Sequence, residues 1–236
     1  MKKSTIFSLV TIFALIPATL YLGSLLPGRW YYLTSTLIII ELMLPFFFAF
    51  ERRRPQPREL VTIAVMAALA AASRAAFMWI PHFKPITGII MITGIALGPQ
   101  AGFLTGALAA FASNFLFGQG PWTPWQMFAY GMGGFLAGIL FYKKGQMGKK
   151  PMAYRLILTA FAFLCIVLIV GPLLDCSHIF TAGSVLTWDF ALAVLASGLP
   201  VNLIHASAAA LTVFFFSRPL LDKLERVQVK YGMMEN

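Results

Sequence analysis

The chain has 236 residues, 59% of them hydrophobic and 11% charged, with a formal net charge of +10 at pH 7 and a mean hydropathy of +0.81. Soluble domains run near half apolar and a quarter charged, so this composition fits lipid as solvent. At about 20 residues per crossing and about 30 with its connection, roughly eight crossings fit the length, which leaves little chain for a soluble catalytic domain.

The first apolar run, residues 5–26, follows Lys2 and Lys3. It exceeds the apolar core of a signal peptide and lacks a convincing small-residue cleavage site, so it is expected to remain as a span. Further runs follow at residues 31–50, 60–80, 86–97, 100–117, 126–142, 154–174 and 188–216. Hydrocarbon offers backbone N–H and C=O groups no partner, and the alternation of barrel strands is too weak, so each run is expected as a helix. The fold class is therefore an all-α integral membrane protein of eight spans. Residues 1–50 form a two-helix appendage, 51–59 a basic linker, 60–216 a six-helix core and 217–236 a basic tail. Residues 86–97 stand between Pro85 and Pro99 and cover only about 18 Å of a roughly 30 Å hydrocarbon core. That run either crosses as a short or tilted helix or turns back together with 100–117.

Counting positive charge on alternate sides assigns the chain an orientation. One side receives Lys2, Lys3, Arg52, Arg53, Arg54, Arg58, Lys143, Lys144, Lys149, Lys150, Arg155, Arg218, Lys223, Arg226 and Lys230; the other receives Arg29 and Lys84. Both termini are expected in the cytoplasm, with the chain a multi-pass protein of the cytoplasmic membrane. The net charge reads as an orientation signal, and no nucleic-acid partner is expected.

No segment fits G-x-x-x-x-G-K-[ST], so ATP hydrolysis is not expected of this chain. Cys165 and Cys176 lack zinc or disulfide spacing and read as structural, the latter in an outer loop. No cofactor, catalytic group or metal site is expected, because Asp175, His178, Asp189 and His205 lack a ligating motif. His205 reads as hydrogen-bonded internally, with Asn202 nearby.

Four features stand out against this background. Ala64, Ala68, Ala72 and Ala76 recur every fourth residue, a small-residue face that lets another helix come close. Arg74, inside a span, needs a partner or a wet cavity; Glu41, at a similar depth, is one candidate and an anionic group of a ligand is the other. Residues 117–126 read F-G-Q-G-P-W-T-P-W-Q, an uncharged loop whose Trp122 and Trp125 offer flat faces. Gln119, Asn114, Gln126 and Tyr130 add hydrogen-bonding groups in and near it. Two more outer connections, 81–85 with His82 and Lys84, and 175–189 with Asp175, His178 and Asp189, complete the polar groups of that side.

On the alanine-rich run, the segment FKPITGIIMITGIALGP at 83–99 and FGQGPWTPWQMFAYG at 117–131, residues 60–216 resemble the substrate-binding S-component of an energy-coupling factor (ECF) vitamin transporter. The last segment resembles the cobalamin-type S-components. The resemblance implies capture of a vitamin at the outer face and a partnership with a transmembrane T-component and two ATPase subunits, with Ala64, Ala68 and Ala72 contacting the T-component. It also implies that 81–85 and 117–126 gate the pocket and that the protein topples in the membrane to release its cargo. The leading expectation is a corrinoid held by Asn114, Gln119, Gln126 and Tyr130 under Trp122 and Trp125, with Arg74, His82 or Lys84 near its anionic group. A cobalamin precursor such as an α-ribazole-like nucleoside, or another vitamin, is the alternative cargo. An outer-surface enzyme using Asp175, His178 or Asp189, and a scaffold docking through its alanine face, are the alternatives of other classes.

Overall fold

The computed structural model describes residue 7 and residues 10–25, 31–142, 151–181 and 187–232. A π-helical segment, Thr11–Leu15, leads into α1 (Ile16–Leu25), followed by α2 (Tyr31–Arg52), α3 (Pro57–Ala76), α4 (Ile86–Leu97), α5 (Pro99–Phe117) and α6 (Thr123–Phe141). Helix α7 (Met152–Cys165) continues through a second π-helical segment, Ile166–Val170, into α8 (Gly171–Thr181), and α9 (Trp188–Lys230) comes last. Among the described residues all regular structure is helical. Within them five stretches are long and apolar enough to cross a membrane: Leu33–Arg52, Pro57–Ala76, Pro99–Phe117, Met152–Phe180 and Trp188–Lys230. Of the charges that orient the chain, Lys2, Lys3, Arg29, Lys143, Lys144, Lys149 and Lys150 lie outside the described residues, as do residues 182–186.

Helix α4 occupies the centre. Its sequence, ITGIIMITGIAL, is apolar or small on every side, the mark of a helix with no face for solvent, and every one of its residues is buried. A Cβ on Gly94 would overlap the Gly134 carbonyl oxygen of α6, and one on Gly102 of α5 would reach the same atom. Three helices thus meet backbone to backbone, and van der Waals fit of this kind is what holds helices together in lipid. Gly98, at φ 98°, ends α4 in a conformation that only glycine adopts without strain, and Pro99 starts α5 at once.

Around this centre, α3 buries Ile63, Met66, Ala67, Ala70 and Arg74 and turns Ala64, Ala68, Ala72 and Ala76 outward. Helix α2 lies on α5 and α6: Phe46 stacks on Phe103 at 4.0 Å and meets Phe135 edge-on at 4.9 Å. Such aromatic pairs contribute roughly 0.5–1.5 kcal/mol each beyond their burial.

Two expectations are corrected here, and one helix extends further than its apolar run. Glu41 does not meet Arg74; its carboxylate accepts from Thr19 Oγ1 of α1, because helical rise fixes depth but not which helices are neighbours. Asp175, Cys176 and His178 stand on α8 and not in a loop; Asp175 is buried, with Oδ2 accepting from Asn202 Nδ2 at 2.7 Å. The basic residues after Phe216 continue α9, a helix of 43 residues, since Lys, Arg, Glu and Leu are all good helix formers. Its end is anchored where Gln228 Nε2 donates to the Ala96 carbonyl at 2.7 Å and Arg58 Nη1 donates to the Tyr231 carbonyl at 2.8 Å.

Candidate functional site

The short α4 leaves its first turn deep in the bundle. Thr87 Oγ1 and His205 Nε2 share a hydrogen bond of 3.0 Å, and the Tyr130 ring meets His205 edge-on at 5.9 Å. Tyr130 lies seven residues inside α6, about 10 Å below its start. Thr87, Tyr130 and His205, all buried, form a lower polar tier at that depth.

One turn above lies an upper tier. Arg74, in the last turn of α3, donates from Nη1 to Ser113 Oγ at 2.6 Å and to Asn114 Oδ1 at 2.9 Å, and its guanidinium covers the Phe117 ring at 4.3 Å. A cation in that position also answers the negative end of the helix dipole. Asn114 Nδ2 donates in turn to Gln126 Oε1 at 2.8 Å and to Thr123 Oγ1 at 3.2 Å. The Thr123 hydroxyl donates to Gln119 Oε1 at 2.9 Å, and Gln119 Nε2 closes the chain on the Phe111 carbonyl at 3.0 Å. These bonds connect α3, α5, α6 and the loop 118–122. They engage the amides of Asn114, Gln119 and Gln126 within one network.

Arg74 stands in the last turn of α3, and His82 and Lys84 stand in the connection from α3 to α4. His82 is exposed and takes a left-handed conformation with φ 61°, and Lys84 is half-buried. Among the described residues no carboxylate pairs with any of these three. Arg74 and Lys84 bring positive charge to this end of the molecule.

The two tryptophans have different surroundings. Trp122 lies over Gly120, where a side chain would collide with its ring, and is half-exposed. Trp125 is in the first turn of α6, buried, and stacks on Phe180 of α8 at 5.5 Å. The loop is shorter than its sequence suggests, because α6 already starts at Thr123. Sequence reasoning missed Ser113, Thr123 and Thr87 as members of the two tiers; Ser113 and Thr87 are small hydroxyls in apolar runs, and Thr123 stands in the segment 117–126 between its two tryptophans. Ala64, Ala68 and Ala72 are exposed on α3 and belong to neither tier.

A family model described as ECF-type riboflavin transporter, S component, matches residues 55–221. That span holds both tiers and leaves out α1, α2 and the last turns of α9. No curated protein and no solved structure matches the chain.

Proposed function

The chain belongs to the family of ECF-type riboflavin transporter S components, and from that premise we propose that it captures a corrinoid, cobalamin or a close relative, at the two-tiered polar site. Members of this family bind substrate for a transporter and are not enzymes; a T-component and ATPases supply the coupling. The observation that carries the corrinoid reading is Arg74, without a carboxylate partner among the described residues, bonded to the amide of Asn114 and through it to Gln126, with Gln119 in the same network. Such a site complements a ligand that bears a phosphate and many amides. Trp122 adds aromatic surface for the ring periphery, and the segment 117–131 resembles the cobalamin-type members.

A second reading is riboflavin itself, favoured by the description of the matching family model. Its flat ring suits Trp122, but it brings no anion to Arg74 and Lys84.

In the cell, the charge count supports eight crossings with both termini cytoplasmic, so that 77–85 and 118–122 face outward. The outward Ala64, Ala68 and Ala72 supply the close-packing face for the T-component. The missing nucleotide motif assigns ATP hydrolysis to the partner subunits.

Titration of the purified full chain with cyanocobalamin, cobinamide, α-ribazole and riboflavin, read by thermal shift, separates these cases. Saturating cobalamin, at one hundred times Kd, stabilises by about 2.7 kcal/mol. Cobinamide, which keeps the corrin amides but lacks the phosphate, should bind more weakly. Stabilisation by riboflavin or α-ribazole alone would reassign the cargo, and no shift with any of them would remove the vitamin reading.

A further inference from the structure

At the end of the molecule opposite the two polar tiers, the start of α3 and the last turns of α9 enclose a crevice of about 450 Å³. Its walls are Val61, Val65 and Met66 from α3 and Leu224 and Val227 from α9, with Val61 63% and Val65 60% exposed. Tyr231 closes one end. The Arg58 guanidinium lies 5.7 Å from the Tyr231 ring and the Lys230 ammonium 5.5 Å from the same ring. Arg58 uses Nη1 on the Tyr231 carbonyl, and a guanidinium has five N–H donors to offer. Among the described residues no carboxylate lines the crevice.

We propose that this crevice seats a phospholipid with an anionic headgroup, one acyl chain lying between α3 and α9 and the phosphate meeting Arg58 and Lys230. An apolar slot that runs inward from the end of a membrane-length helix, with two cations at its mouth, has the charge and polarity profile of an anionic amphiphile. A zwitterionic lipid would bring its own cation to the same mouth, and a soluble anion would leave the apolar walls unused. Leu224, Val227, Lys230 and Tyr231 lie beyond the family match, which ends at residue 221, so the extension of α9 supplies one wall of the site and α3, inside the match, the other. It does not depend on the identity of the vitamin. Because Val61 and Val65 flank Ala64 on α3, a seated lipid borders the alanine face.

Native mass spectrometry of the full chain in detergent, mixed with equal amounts of phosphatidylglycerol and phosphatidylcholine of identical acyl chains, tests the proposal. Phosphatidylglycerol should be retained in preference. Arg58→Gln and Lys230→Gln should each lower that preference roughly fivefold, the effect of about one basic residue at a lipid surface. Arg58→Lys should keep it, Val65→Trp should reduce retention of both lipids by filling the slot, and glycerol phosphate should not compete. Unchanged thermal unfolding of the charge variants separates lost binding from lost fold. Equal retention of the two lipids, or a preference untouched by both charge variants, would overturn the proposal. So would a crevice that retains no lipid while Arg58→Gln blocks capture of the T-component, which would assign it to a protein partner.

Discussion

The two halves of the helical centre are held together in opposite ways. Around Gly94, Gly102 and Gly134, α4, α5 and α6 fit by shape, backbone against backbone. Around Arg74, Asn114 and Gln126, α3, α5 and α6 are joined by side-chain hydrogen bonds. Shape cannot be exchanged for contact with another molecule, whereas hydrogen bonds can, because a ligand amide or phosphate can replace each partner. The first half is therefore expected to set stability and the second selectivity.

The most severe test of that division is Gly94→Leu, which drives a side chain into the α6 backbone. It should cost more than about 3 kcal/mol and abolish a monodisperse peak in size-exclusion chromatography. Arg74→Ala comes next: affinity for the vitamin should fall ten- to a hundredfold, equal to about 1.4–2.8 kcal/mol, with a melting temperature close to the parent's and partial recovery in Arg74→Lys. Calorimetric titration reads this directly, and a variant that unfolds without losing affinity would erase the contrast between the halves. Gln126→Leu removes one neutral hydrogen-bonding group and should lower affinity by roughly five- to tenfold. The smallest effect is expected for Ala68→Leu on the outward face of α3. Stability and ligand binding of the isolated chain should change by less than about 0.5 kcal/mol, while co-purification with the T-component falls.

Much of this division can be read from the sequence, and the reasons it stops are physical. The bounds of α4 follow from Pro85, Gly98 and Pro99, because proline and glycine act locally on the backbone. Arg74, Asn114 and Gln126 stand out because polar groups are rare in apolar runs. That they bond one another, and that Glu41 is not among them, depends on which helices are neighbours, and periodicity along one helix carries no such information. Asp175 and His178 look like loop residues for the same reason; their place on α8 depends on Asn202 arriving from α9 to meet the carboxylate. The continuation of α9 is hidden because a rise in charge marks departure from lipid and not the end of a helix.

The shortness of α4 has a consequence for how such a chain acquires an interior at all. With 12 residues where its neighbours α5 and α6 have 19, the central rod is roughly two turns shorter than they are. Arg74, Asn114 and Gln126, from α3, α5 and α6, bond one another inside the protein without facing hydrocarbon. Where the short rod begins and ends is set by one proline and one glycine, Pro85 and Gly98.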